Sequence, residues 1–236
     1  MINNFFKKNN IKKNAEDFAK KSWSQCGEDL IIHHILHELK IEKPSWIDIG
    51  AHHPYYLNNT FLFYEKGGRG INIEPDPELF QKFTIERPKD TNLNLAIGEH
   101  EGELDFYVFN EPTLNTLVKE EAERINKEHP GYFVKEIKKV KTQSLNGIIE
   151  KYAKGIFPDL LSLDVEGLDE QILKSINYKN YSPKVICVET ISFSTKGRGV
   201  KNDGMIQFLK ENGYMVYADT NINTLFVLEN LWQKRA

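Results

Sequence analysis

Carboxylates stand at the ends of short apolar runs throughout this chain. Trp46-Ile47-Asp48-Ile49-Gly50-Ala51-His52-His53 closes one run with an acid, a glycine and two imidazoles. Asn72-Ile73-Glu74-Pro75-Asp76 closes a second, and Leu163-Asp164-Val165-Glu166 and Val188-Glu189 close two more. In a parallel α/β sheet, residues beyond the carboxyl ends of the strands share one crevice, so these acids can meet although they are distant in sequence. Glu74, ending the second strand, can accept hydrogen bonds from both hydroxyls of an adenosine ribose; the alternative is an acid favoured by a helix N-terminus. Gly50 lets the backbone pass close to a ligand. Asp48 can orient that loop or the amino group of a methionine tail, and Ala96 and Ile97 would line an adenine. A free ribose with no phosphate at the first loop describes S-adenosylmethionine, and hence methyl transfer.

Other nucleotide chemistries lack their residues. A nicotinamide site expects G-x-G-x-x-G under the pyrophosphate, and the run from Asp48 to Tyr55 has a single glycine. No G-x-x-x-x-G-K-[ST] loop occurs either. Methyl transfer is an in-line displacement that requires the acceptor to be positioned and its proton removed. A sugar hydroxyl needs help from a general base or a metal. His52 or His53 could be that base, because imidazole titrates near neutrality; otherwise they shape the loop. Asp164 and Glu189, ending neighbouring strands, offer oxygen ligands suited to Mg²⁺ or Mn²⁺, with Glu166 or a first-loop histidine as a third. Without a metal the same two acids bind substrate hydroxyls or act as bases.

These groups need elements to carry them. A helix is expected over Gln25–Leu39, strands over Ser45–Ile49, Gly70–Ile73 and Asn92–Ile97, and a further strand over Leu104–Phe109. Gly67-Gly68 ends the helix after the first strand, and Pro77 opens the helix after the second. Lys119–Glu128 reads as an exposed helix and Val134–Thr142 as a strand. Ser144 caps a helix to Tyr152. Then come strands at Leu160–Leu163 and Val185–Val188, helices at Leu168–Ser175 and Gly204–Glu211, and a closing pair, Tyr214–Ala218 and Thr224–Leu228. Strands alternating with helices imply a parallel sheet covered on both faces, and the closing pair implies one antiparallel strand near an edge.

The 236 residues suit one α/β domain. Residues 1–21 form a basic leader, with lysines at 7, 8, 12, 13, 20 and 21 against Glu16 and Asp17. Residues 22–236 form a single domain, with a substrate-facing insertion around 110–142. A net charge of −3 offers no general attraction to nucleic acid. No apolar stretch is long enough to span a bilayer, and the lysine-rich start lacks the apolar core of a secretory signal. A cytoplasmic location follows. Cys26 and Cys187 have no metal spacing, and Cys187 reads as a buried small hydrophobe. Tyr55 and Tyr56 could stack on a sugar or merely pack. Lys196 and Arg198 could recognise a nucleotide-sugar phosphate or simply be solvated. His33, His34 and His37 read as surface or core residues.

Asp48-Ile-Gly-Ala-His-His-Pro, Asn72-Ile-Glu-Pro-Asp-Pro, Asn94-Leu-Ala-Ile-Gly and above all Leu163-Asp-Val-Glu-Gly together resemble the FkbM-type S-adenosylmethionine-dependent methyltransferases. Ser24-Gln25-Cys26-Gly27-Glu28-Asp29 resembles the helix that precedes the first strand in many members. The similarity covers residues 22–230. It implies a Rossmann-like, seven-stranded class I methyltransferase sheet and methyl transfer, usually to a hydroxyl oxygen. By the resemblance, Asp48, Gly50 and Glu74 hold the cofactor, Gln25 joins them, Ala96 and Ile97 meet the adenine, and Asp164 sits beside the transferring methyl group. Many bacterial members look to serve surface-carbohydrate or natural-product tailoring. The expected activity is O-methylation of a sugar or nucleotide-sugar hydroxyl in polysaccharide or capsule biosynthesis. The alternatives are N-methylation in a glycan precursor and a non-catalytic binding module. Neither a nucleic-acid partner nor a transmembrane segment is expected, and a homo-oligomer is left open.

Overall fold

The computed structural model describes residues 15–195 and 199–235. Lysines 7, 8, 12 and 13 of the leader, and Lys196 and Arg198, lie outside the described residues. No helix among the described residues is long and apolar enough to cross a membrane.

The chain begins with α1 (Glu28–Glu38), β1 (Ser45–Ile49), α2 (Phe61–Glu65), β2 (Arg69–Ile73) and α3 (Pro77–Glu86). Next are β3 (Thr91–Leu93), β4 (Ala96–Ile97), β5 (Gly102–Phe109), α4 (Lys119–Glu128) and β6 (Val134–Gln143). It continues through α5 (Leu145–Tyr152), β7 (Leu160–Leu163), α6 (Asp169–Ser175) and β8 (Val185–Glu189). The last elements are α7 (Asp203–Glu211), β9 (Tyr214–Asp219), β10 (Asn223–Leu228) and α8 (Glu229–Lys234).

Seven strands form one sheet in the order β3-β2-β1-β7-β8-β10-β9. The pairs from β3 to β8 are parallel. Strand β10 runs antiparallel to both β8 and β9, so the antiparallel strand lies one in from the edge. Successive side chains in a strand face opposite sides, and that alternation divides the core in two. Ile47, Ile49, Leu161, Leu163, Ile186 and Val188 pack on one side with residues of α5, α6 and α7. Trp46, Leu160, Val185 and Cys187 pack on the other with Ile32, Ile35 and Leu36 of α1 and Phe63 of α2. Cys187 is thus a core residue.

One expectation fails here. The strand expected over 92–97 is two strands in two sheets. β3 ends at Leu93, and the Asn94 amide then donates to the Glu74 and Pro75 carbonyls at 2.9 Å each. That anchor turns the chain, and Ala96 pairs instead with Thr142 of β6 in a separate three-stranded sheet, β4-β6-β5. Helix α8, after the closing pair, is an element the sequence reading did not include.

Candidate functional site

The main sheet's strands β1, β2, β7 and β8 end on a cavity of about 600 Å³. Gln25, Asp48, Gly50, His52, Glu74, Ala96, Ile97, Asp164 and Glu189 all line it. His53 does not. Its Nδ1 accepts the backbone N–H of Tyr56 at 3.2 Å and a longer one from Tyr55 at 3.4 Å, which folds the loop. Its ring meets Tyr55 edge-on.

Gln25 reaches the cavity because two acids fold the approach to α1. Asp29 accepts from the Trp23 N–H at 2.7 Å and from the Ser22 and Ser24 hydroxyls. Glu28 accepts from the Cys26 N–H, Thr220 Oγ1 and Asn223 Nδ2. It ties this approach to the turn between β9 and β10.

Glu74 is buried where β2 ends. One carboxylate oxygen accepts the His52 N–H and the other the Asp76 N–H, each at 2.8 Å. Burial pushes its carboxyl up to about 8, against the pull of those two donors. Gly50 has φ +73°, and a Cβ there would lie 1.8 Å from the Asp164 carbonyl oxygen. The close approach at Gly50 is therefore to the protein's own backbone, with β1 and β7 nearly touching at the cavity floor. His52 is also left-handed, at φ +55°. Burial, then repulsion from His53, holds its imidazole below the usual value. It is neutral near pH 7 and able to take a proton.

Asp48 Oδ2 is taken up by Thr60 Oγ1 at 2.8 Å and Asn58 Nδ2 at 3.2 Å. Burial raises its carboxyl, and the charge of Arg87 opposes the rise. Nothing in the sequence reading pointed to Arg87. It lies in the surface-like stretch Glu86-Arg87-Pro88-Lys89-Asp90, yet it is fully buried.

The far side is different. Asp164, Glu166 and Glu189 bring one oxygen each within 4.8 Å of one another. Burial leads for all three: the charges of Asp169 and Asp48 then lift Asp164 to about 7 against a hydrogen bond with Glu189, and the charge of Asp164 lifts Glu166 and carries Glu189 to about 11. Asp164 opens on the cavity itself. No lysine or arginine lines the cavity among the described residues. Arg124, the cation that bears on Glu166, is already engaged by Glu121 at 2.5 Å and Glu128 at 2.9 Å. Residues 111–117 form another part of the wall, and Glu111 adds a further carboxylate. Thr116 donates to the Glu166 carbonyl at 2.7 Å and so joins this segment to the acid cluster.

A model of the FkbM methyltransferase domain matches residues 48–216, most of the chain, and spans the strand ends just described. The chain belongs to this family. Membership in the FkbM methyltransferases implies S-adenosylmethionine as methyl donor, and the seven-stranded, mostly parallel sheet is that of a class I methyltransferase. No curated protein matches the chain. Among solved structures, the FkbM methyltransferase of Methylobacillus flagellatus KT is similar at 13% identity and a TM-score of 0.45. The similarity covers 79% of this chain, which spans only 44% of the length of that one. A TehB-like SAM-dependent methyltransferase from Corynebacterium glutamicum is similar at 11% identity and a TM-score of 0.45, over 86% of this chain and 87% of that one. Likenesses this distant carry no argument about chemistry, and the FkbM assignment stands on the family match.

Proposed function

We propose that this FkbM domain transfers a methyl group from S-adenosylmethionine to a hydroxyl of a sugar or nucleotide-sugar during assembly of a bacterial surface polysaccharide such as a capsule. The observation that carries the cofactor half is Glu74. Each of its oxygens holds one backbone N–H and keeps a lone pair for a ribose hydroxyl. Asp48 and Gly50 set the loop beside it, Ala96 and Ile97 supply an adenine wall, and Gln25 lines the same cavity. When bound, S-adenosylmethionine supplies an electrophilic methyl on a sulfonium. The chain's own task is then to orient an acceptor hydroxyl and remove its proton. His52 is the base, with Asp164 holding the hydroxyl. His53 supports the loop, and residues 110–142 serve as the substrate-facing insertion of a single domain.

Mg²⁺ or Mn²⁺ would be held by Asp164, Glu166 and Glu189. Their three oxygens, gathered within 4.8 Å, are the hard ligands such an ion takes. Such an ion would acidify a bound hydroxyl and screen the diphosphate of a nucleotide-sugar, which these acids would otherwise repel. The carboxylates of the wall also favour a second reading, N-methylation of an amine or amide in a glycan precursor, an amine giving up its proton to one of them before it attacks.

Calorimetric titration with S-adenosylhomocysteine tests the proposal on wild type and Glu74→Ala, with and without Mn²⁺. Micromolar binding lost in the variant is the expected result. A folded wild type that does not bind would bring forward a non-catalytic binding module.

A further inference from the structure

Behind the cavity wall is a buried charge that neither the cofactor nor an acceptor would touch. Arg87 follows α3 and is fully buried. Its Nε donates to Asp90 Oδ2 at 2.8 Å, with both side chains inaccessible to solvent. Its guanidinium lies 5.2 Å from the Trp46 and Tyr64 ring centres and 5.4 Å from that of Phe83. Removing a guanidinium from water is costly unless it is paired and hydrogen-bonded, so a buried one marks a junction that many partners stabilise together.

Those partners lie on the loop between β1 and α2. Nη1 donates to Thr60 Oγ1 at 3.0 Å, to Asn58 Oδ1 at 3.1 Å and, at longer range, to the Pro54 carbonyl at 3.4 Å. Thr60 and Asn58 in turn donate to Asp48 Oδ2, and Asn58 Nδ2 also reaches the Ala51 carbonyl at 3.2 Å. The 51–60 loop is thus pinned along its length by one cation. Between the pins are His52, whose N–H fixes Glu74, and the cavity residues Tyr56, Leu57 and Asn59. His52 and Leu57 are both left-handed, at φ +55° and +52°, and such conformations persist only where surroundings over-determine them. On the other side Asp90 accepts from the Gly70 N–H and Asn72 Nδ2, and Asn72 accepts from the Trp46 indole. The same cation therefore references the loop to β1 and β2.

We propose that Arg87 is a positioning residue: from outside the cavity it holds the 51–60 loop, and through it His52 and the His52–Glu74 contact, in the arrangement that receives the cofactor. Lysine would keep the charge, but it lacks the planar fork that serves Asp90 and the loop together. This assignment rests on the cofactor reading for its binding consequence but not for its structural one.

The test compares wild type, Arg87→Lys and Leu209→Ala, the last a destabilising change in α7 away from the cavity. All three are studied where they are fully folded. Hydrogen exchange of segment 50–60 should quicken by at least about tenfold in R87K, with 160–164 and 185–189 nearly unchanged. The dissociation constant for S-adenosylhomocysteine should rise by about tenfold. L209A should move neither. Exchange in R87K that stays at the wild-type rate, or quickens equally in all three segments, overturns the proposal. Should R87K fail to fold, Thr60→Val breaks the hydroxyl link from Arg87 to Asp48 and is held to the same two outcomes. A wild type that binds no S-adenosylhomocysteine removes the cofactor reading alone, because the exchange comparison still decides the role of Arg87.

Discussion

The two halves of the cavity rim carry the same kind of residue in opposite circumstances. Where β1 and β2 end, each acid is met by donors: Asp48 by Asn58 and Thr60, Glu74 by two backbone N–H groups. Where β7 and β8 end, Asp164, Glu166 and Glu189 meet chiefly one another. The first half is preorganised, its carboxylates fixed before any ligand arrives, and it suits a ribose, an uncharged group that brings hydroxyls. The second half holds like charges close together and needs a proton or a cation to relieve them. A fold that evolved only for stability would have little reason to keep the second arrangement beside the first.

Gly50 joins the halves, so the most severe way to break the comparison is to change it. In Gly50→Ala the new Cβ would meet the Asp164 carbonyl at 1.8 Å, at a φ that L-residues rarely adopt. Backbone rather than a flexible side chain stands in the way, so β1 and β7 must part. The expected loss is at least about 3 kcal/mol of unfolding free energy, measured by denaturant titration. A loss below about 1 kcal/mol would show that the strand ends can separate freely.

Next is the preorganised half. Glu74→Gln keeps the size of the side chain but sets an amide N–H₂ against a backbone N–H that needs an acceptor. S-adenosylhomocysteine affinity should fall by about 30- to 100-fold, some 2–3 kcal/mol for hydrogen bonds to a charged group. A fall of less than about threefold would remove Glu74 from the ribose. The same carboxyl gives a pH dependence of known sign. It is pushed up to about 8, and both of its oxygens already hold a donor. Only the ionised form can accept two further hydroxyls, so affinity should rise with pH, by up to about tenfold per unit, and level off above 8. In E74Q the curve should be flat. A wild-type curve that is flat between pH 6 and 8 would mean that the two N–H donors outweigh burial.

Much of the preorganised half is legible in the sequence. Strand β1 was expected over Ser45–Ile49 and is observed there, because an apolar run between Pro44 and Gly50 leaves little freedom. Strand β7 and helix α4 likewise fall where expected. What escaped was set by tertiary contact. Asn94 looks like any strand residue until its amide finds two carbonyls across the chain, and the expected strand divides there. Arg87, between Glu86 and Pro88, has the local signature of a solvated turn. Its burial follows from Trp46, Tyr64 and Phe83 closing around it, and no local pattern encodes that. Glu111 reaches the cavity only because β5 and β6 fold the insertion back over the strand ends.

The smallest expected effect concerns the repelling half and sharpens the comparison most. Burial and then the charge of Asp164 push Glu189 up to about 11, whereas in the unfolded chain it titrates near its ordinary 4.5. Between those values the folded protein binds more protons than the unfolded one, so this carboxyl makes stability fall as pH rises. Glu189→Gln should therefore be the more stable protein at pH 8, by at least about 1 kcal/mol, since each pK unit of the rise that lies below pH 8 is worth about 1.4 kcal/mol. Its stability should also depend less on pH than that of wild type. A divalent ion offers the other form of relief. Mn²⁺ at about ten times its dissociation constant should stabilise wild type by about 1.4 kcal/mol, seen as a rise in melting temperature, and should leave E189Q where it was. If Mn²⁺ raises both proteins equally, the ion binds elsewhere, and the three carboxylates are relieved by a shared proton or by a cationic acceptor. If E189Q is less stable than wild type at every pH, Glu189 has a donor that outweighs the repulsion, and the two halves of the rim are alike after all.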